Sequence, residues 1–450
     1  MGARLLEFSV DNLYGLYNHK VKFNQSEEIC ILHGPNGVGK TAVLKCINYL
    51  FLSDFESLSK IPFNKINAVL DSGVNVSLTR SPSNPSLLDP IQSLSNRKLE
   101  VVIYLREKVI AKHIFSPPAA RKVNQHFITW YGRNAEERLK EEVTYLEADV
   151  NDIYDARVED ALDSISKGKK KSGAKQVRTL LNSFSVHFVE TNRLFRHNVG
   201  TDAAIIGGGS GKTVHTVQEC AKDLILRINS ALKNYGAKSQ QLDQSFPHRF
   251  ISVTMPPMEV DELKEKLSQI GVKLKDLRSI GLLDADSVQP FDIESLDFVE
   301  KNKIEIMSLY VRDSQAKLEV FDSILARVQL LLGSINLKFR NKRVLLSKAR
   351  GFFVKLDSGD ELSLDLLSSG EQHELVLMYE LLFKVPAETL VLIDEPELSL
   401  HVSWQKAFLP ELISIAREVG FTAVVATHSP FIVGDRYDLM SALDAELENE

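Results

Sequence analysis

Eight residues near the N-terminus, Gly34–Thr41, read GPNGVGKT and satisfy every fixed position of G-x-x-x-x-G-K-[ST]. The chemistry this pattern serves is phosphate capture. Gly34, Gly37 and Gly39 let the backbone curl, and with Pro35, Asn36 and Val38 between them the loop turns its N–H groups toward a phosphate chain. Lys40 supplies a cation for the terminal phosphates, and Thr41 offers a hydroxyl to Mg²⁺. The ligand expected here is ATP. A second stretch, GGGSGKT at 207–213, ends in the same letters but has Ile206 where the first glycine belongs. It reads as a flexible link, with Thr213 capping a helix that starts near Val214.

A phosphate loop needs a carboxylate to orient the metal. LVLIDEPELSLH, residues 390–401, carries an apolar run into Asp394 and Glu395. Asp394 is the expected holder of Mg²⁺ or its water. Glu395 is placed to act as general base on the attacking water. VVATHSP, 424–430, puts His428 at another strand tip, where it can hydrogen-bond the γ-phosphate. FVETNRL, 188–194, places Asn192 near metal or water.

These residues need strands that end at one place and a helix that begins there. EICIL (28–32) runs into the phosphate loop, and a helix is expected from Thr41 to about Leu52. RLLEFSV and HKVKF read as earlier strands. The stretches 66–80 and 98–115 read as an antiparallel hairpin set. In the middle, Val260, Leu263, Leu267, Ile270, Leu274 and Leu277 form a heptad seam. So do Met307, Val311, Ser314, Leu318, Phe321, Leu325, Val328 and Leu332. They describe either a short antiparallel coiled-coil arm with its tip in 279–303 or two ordinary amphipathic helices of a bundle. Strands are expected again at INLKF (335–339), GFFVKL (351–356) and LSLDLL (362–367), then at TLVLI (389–393) and FTAVVATHSP (421–430).

The chain has 450 residues and a formal net charge of -6, so any contact with nucleic acid must come from a local basic patch. Lys167–Arg178 is the candidate, against the simpler reading of a solvated lysine-rich loop. Cys30, Cys46 and Cys220 are too scattered for a disulfide framework or a metal cluster. Without a signal-peptide pattern or a membrane-length apolar run, the chain reads as soluble and cytoplasmic, with no membrane partner.

With the motifs in this order, the chain resembles ABC-type ATPases of the SMC/Rad50/RecF kind. LSSGE, 367–371, falls on their signature motif, with Ser369 replacing its first glycine. The resemblance implies an α/β P-loop ATPase head built from both chain ends around a helical, short coiled-coil insertion. The domain division that follows is 1–115 for head lobe I and 116–210 for a helical, loop-rich segment. Residues 211–336 form the helical insertion, and 337–450 form head lobe II. It also implies that Ser368, Ser369, Gly370 and Glu371 complete the ATP site of a second copy, so the expected unit is a homodimer of heads or a higher oligomer.

LSSGEQHEL, IDEPELSLHVSWQ and ATHSPFIVGDRYDL further resemble the OLD-like ATPases of bacterial anti-phage systems, of the AriA or PtuA type. The chain ends at Glu450, about twenty residues after His428, which leaves no length for the Toprim nuclease that some relatives carry. The resemblance therefore implies a regulatory ATPase that controls a separate effector nuclease, with a phage protein as trigger. Two alternatives stay open: a RecF/Rad50-like DNA-repair or DNA-clamping ATPase, and a scaffold that ATP only cements.

Overall fold

The computed structural model describes residues 4–23, 27–81, 98–117, 173–189, 195–197, 213–252, 256–283 and 301–443. Asn192, the GGGSGKT glycines and Lys167–Lys171 lie outside these residues. The chain divides into two compact units. The first comprises 1–192, 199–209 and 384–450, and the second comprises 193–198 and 210–383.

The first unit begins with an antiparallel sheet. Strands β1 (Leu5–Leu13) and β2 (Tyr17–Lys22) form a hairpin, and β3 (Ile29–His33) leaves for another sheet. After α1 (Lys40–Phe51) and α2 (Phe55–Lys60), strands β4 (Lys65–Leu70), β5 (Val74–Arg80), β6 (Leu99–Leu105) and β7 (Lys108–Phe115) complete the order β2-β1-β4-β5-β6-β7. Val74, Val76, Leu78 and Arg80 alternate inward along β5 while Asn75 is exposed, the period-2 pattern of a sheet covered on one face. Helix α3 (Gly173–Asn182) packs close to β7, with Gly173 against the Lys112 carbonyl. Strand β8 (Val186–Val189) follows.

The second unit opens with the short pair β9 (Phe195–His197) and β10 (Thr213–His215). Thr213 thus lies in a strand, and α4 starts at Thr216 and runs to Ile251. Helices α5 (Val260–Ser279) and α6 (Lys301–Leu318) pack on one another, and α6 also packs on α4. Leu263, Leu267, Ile270 and Leu277 of the first seam are buried, as are Val311, Leu318, Phe321, Leu325 and Val328 of the second. The second seam does not follow one α-helix. A 3₁₀ turn at Glu319–Phe321 separates α6 from α7 (Asp322–Lys338). Arg249 of α4 pairs with both oxygens of Asp313 on α6, and Met258 N–H donates to Ser308 Oγ at 2.9 Å. These are contacts of a helix bundle.

INLKF is not a strand. Ile335 sits one turn beyond Leu331 and Val328 and is fully buried, so the 3.6-residue period carries the helix through Lys338. The apparent alternation of Ile335, Leu337 and Phe339 misleads, since Leu337 points to solvent at 88% exposure. The strands come later, as β11 (Lys342–Ser347), β12 (Gly351–Leu356) and the two-residue β13 (Glu361–Leu362). Most of LSLDLL is a 3₁₀ turn, Leu364–Leu366, leading into α8 (Ser369–Tyr379).

The chain then returns to the first unit with β14 (Leu390–Asp394), α9 (Val402–Val419), β15 (Thr422–Thr427), the short α10 (Pro430–Val433) and β16 (Met440–Ala442). These strands join β3 and β8 in a parallel sheet ordered β16-β3-β15-β14-β8, so both chain ends build it. Strand β14 is buried at all five positions, which is why it reads as an unbroken apolar run. Leu390 and Leu392 join Val424 and Ala426, the α1 residues Val43, Leu44, Ile47 and Leu50, and Phe8 and Val10 of β1 in one core. This core fixes where α1 begins. The units part between Phe383 and Lys384, so β11–β13 and α8 belong with the helices and not with the strands after residue 384.

The fold is therefore α/β: strands from both chain ends build the parallel sheet, and the helical segments lie between them in sequence.

Candidate functional site

In the first unit, β3 delivers the chain to Gly34 and α1 takes it from Lys40. The loop between them works because of its glycines. Gly37 and Gly39 sit at φ 86° and 95°, where a side chain is strained. At Gly39 a Cβ would also lie 3.0 Å from Leu13 Cδ2. Gly39 is the N-cap of α1 and supplies no side-chain cap, so the first N–H groups of the helix lack a side-chain acceptor. That is the configuration an anion completes.

Lys40 is buried, and its ammonium donates to Gly34 O at 2.8 Å and Pro35 O at 3.0 Å. Among the described residues no carboxylate pairs with it. A buried cation held only by neutral carbonyls calls for an anion. Thr41 Oγ1 donates to Asp394 Oδ1 at 3.0 Å, bringing two hard oxygen donors together from helix α1 and strand β14. A hydroxyl, one carboxylate and adjoining phosphate oxygens form the donor set of Mg²⁺, so the residues fit that ion. Burial raises the Asp394 carboxyl above its ordinary range; Glu395 and Glu397 push the same way, against the Thr41 hydroxyl and Lys45. A cation at the site would relieve this crowding.

The phosphate-loop strand β3 and the carboxylate strand β14 are not neighbours, because β15 lies between them. That order places His428, just after β15, beside the end of β14. Glu395 holds φ 44°, a strained conformation for a side chain, and its N–H donates to Ala426 O at 2.9 Å. Its Oε1 lies 3.9 Å from His428 Nδ1. The phosphate loop, Asp394, Glu395 and His428 thus meet at the ends of the parallel strands, where ligands of open α/β sheets bind.

Three supporting groups have no motif to announce them. His19 on β2 is buried and its Nε2 lies 2.7 Å from Val38 O, so it donates to the middle of the phosphate loop. Burial lowers its pKa, opposed by that bond, which favours the neutral ring. Glu397 accepts from Thr427 Oγ1 at 2.7 Å and from the His428 N–H at 2.9 Å. Gln405 on α9 accepts from Ser429 Oγ at 2.8 Å. Each contact joins residues distant in sequence, so no local pattern reveals them.

In the second unit, Ser368 caps α8 in a capping box. It accepts from Glu371 N, and its own N–H donates to Glu371 Oε2 at 2.9 Å. Lys342 donates to the same Oε2 at 3.0 Å. Burial pushes the Glu371 carboxyl up, but Lys342 and Ser368 outweigh it and hold the group below its usual range. Lys338 and Glu374 form a buried pair, and Tyr379 donates to Asp223 at 2.6 Å. The helix-cap reading of SSGE is therefore realised. It engages the Ser368 and Glu371 N–H groups, whereas those of Ser369 and Gly370 have no acceptor within the helix.

Residues 220–434 match a family model described as "AAA domain, putative AbiEii toxin, Type IV TA system". The match takes in LSSGE, Asp394, Glu395 and His428 and starts beyond the phosphate loop. No curated protein matches the chain. Among solved structures, the chain is similar to the SMC head domain from Thermotoga maritima, at 10% identity and a TM-score of 0.32, covering 98% of this chain and 94% of that one. It is also similar to an Smc head domain with a coiled coil and joint derived from Pyrococcus yayanosii, at 14% identity and a TM-score of 0.35, covering 96% and 93%. The site rests on the chain's own geometry.

Proposed function

We propose that the protein binds and hydrolyses ATP with Mg²⁺, and that the observation carrying this is the meeting of Lys40, the Thr41–Asp394 pair, Glu395 and His428 at one end of the parallel sheet. Gly34–Thr41 cradle the phosphates, with the α1 N-terminus adding its dipole. Lys40 exchanges its loop carbonyls for phosphate oxygens. Bound Mg²⁺ neutralises charge on the phosphates. Glu395 takes a proton from the attacking water, and His428 contacts the terminal phosphate.

The signature segment acts on a second copy. Small side chains at Ser368, Ser369 and Gly370, with two first-turn N–H groups left over, suit the terminal phosphate bound by a partner's head. Two heads would then enclose two ATP molecules. The motif resemblance to OLD-like ATPases supports a regulatory role in anti-phage defence. In this role the oligomer holds a separate effector nuclease and a phage protein triggers it. Co-expression with the neighbouring gene, followed by turnover measured with and without candidate phage proteins, tests that role; unchanged turnover and no associated protein would remove it.

One observation favours a second reading, direct contact with nucleic acid. Residues 338–355 contain seven Lys or Arg and no acidic residue; three of the seven pair with carboxylates from outside the stretch, Lys338 with Glu374, Lys342 with Glu371 and Arg350 with Glu361. On the β11–β12 hairpin Arg343 faces Lys355 across the ladder, a like-charge pair that disfavours pairing, and Arg350 stacks 4.1 Å from the Phe353 ring centroid. Lys175 and Arg178 of the earlier basic stretch lie on α3 in the other unit. Salt-dependent binding of DNA by the full chain separates this reading from the first.

A further inference from the structure

Glu397 carries more than a turn. It lies on the 3₁₀ turn Pro396–Ser399 directly after the Asp394–Glu395 pair, with its side chain 5% exposed. Its Oε1 gathers three partners: Thr427 Oγ1 at 2.7 Å, the His428 backbone N–H at 2.9 Å, and the ring nitrogen His428 Nδ1 at 3.1 Å. Its Oε2 is buried and meets no hydrogen-bonding partner among the described residues. Oε1 already accepts from two donors, the Thr427 hydroxyl and the His428 N–H, so it faces the ring nitrogen as an acceptor. The ring nitrogen facing it must therefore carry the hydrogen.

We propose that Glu397 is a positioning residue for the hydrolytic reaction: it holds the Nδ1–H of His428 and so aims Nε2 at the nucleotide, where Nε2 donates to a phosphate oxygen once it takes up a proton as well. This rests on the ATPase reading of the same site. Glu395, the other carboxylate near the ring, is 3.9 Å from Nδ1 and cannot hold it alone. The turn is itself anchored. Gln405 Nε2 donates to Glu397 O at 3.4 Å and to Leu400 O at 3.3 Å, while Gln405 Oε1 accepts from Ser429 Oγ at 2.8 Å. Ser429 N–H in turn donates to Thr427 Oγ1 at 3.0 Å. The segment after the catalytic carboxylates and the segment bearing His428 are thus bound as one body, with Glu397 as the member that touches the imidazole. A carboxylate behind a functional histidine sets which nitrogen is protonated, and behind metal-ligating histidines the loss of such a partner costs about 10- to 100-fold in affinity or activity.

Histidine-labelled full-length protein gives the test, with the His428 signals identified by their disappearance in His428→Gln. The ring ¹⁵N shifts of the wild type should report a proton on Nδ1. In Glu397→Leu, which removes the acceptor, the Nε2-protonated tautomer should appear, with kcat down about 10- to 100-fold and KM for ATP within about threefold. Gln405→Leu, which loosens the turn without touching the ring, should keep the Nδ1 proton. A wild-type ring protonated on Nε2 alone, or Glu397→Leu with unchanged shifts and unchanged kcat, would overturn the proposal. The wild-type spectrum decides even where a variant fails to fold. A wild type that hydrolyses no ATP would sink the ATPase reading, whereas the tautomer is read independently of turnover.

Discussion

At the scale of single residues, the site separates binding from chemistry. Lys40 is buried with only neutral acceptors among the described residues, so its charge is available to an anion. Lys40→Ala should weaken ATP binding about 10- to 100-fold, the worth of a charge-assisted bond, as read by fluorescent-nucleotide titration. Glu395 makes no direct claim on the phosphates, so Glu395→Gln should leave that titration unchanged. The residues that hold these groups were far less legible than the groups themselves. Lys40, Thr41, Asp394 and Glu395 follow from fixed spacings and from an apolar run ending in acids. His19, Glu397 and Gln405 do not, because each acts on a backbone or side chain brought close only by sheet pairing.

At the scale of elements, the loop and the two sheets make different demands. Gly37 and Gly39 both need left-handed backbone, but only Gly39 is also crowded. Gly37→Ala should therefore cost about 1–2 kcal/mol of stability through strain alone, and Gly39→Ala more, measured by chemical denaturation. Gly351 offers a harsher case in the second unit. It combines φ 69° with a carbonyl, Ala221 O, that would lie 2.2 Å from a Cβ. Because backbone meets backbone there, Gly351→Ala should cost about 3 kcal/mol or more. Elements with one clear period match their sequence reading: β2, β4, β5 and β6 alternate and α1 shows a buried face. INLKF failed because an alternating triplet also fits the end of a helix, and the burial of Ile335 in the bundle decided the outcome. The heptad seams mark real buried faces, but periodicity alone did not show that α6 shares its face with α4 as well as α5.

At the scale of the whole molecule, the signature segment and the phosphate site lie in different units of the chain, and the proposed function joins them only between copies. Ser368→Arg should leave nucleotide binding to each head intact and abolish turnover, because a long cation would occupy the partner's phosphate approach. Mixing Ser368→Arg with Lys40→Ala chains tests the same idea. In a mixed dimer both lesions fall on one composite site and spare the other, so activity should return to up to about a quarter of wild type if half the dimers are mixed and each keeps one independent site; the absence of any recovery would count against composite sites. The measurement that bears most directly on the central claim is the rate of phosphate release at saturating ATP by wild type and Glu395→Gln, made alongside the binding titration. The account predicts steady release by the wild type and release slowed about 10²- to 10⁴-fold by the variant, with nucleotide binding retained. Equal release by the two proteins would contradict it.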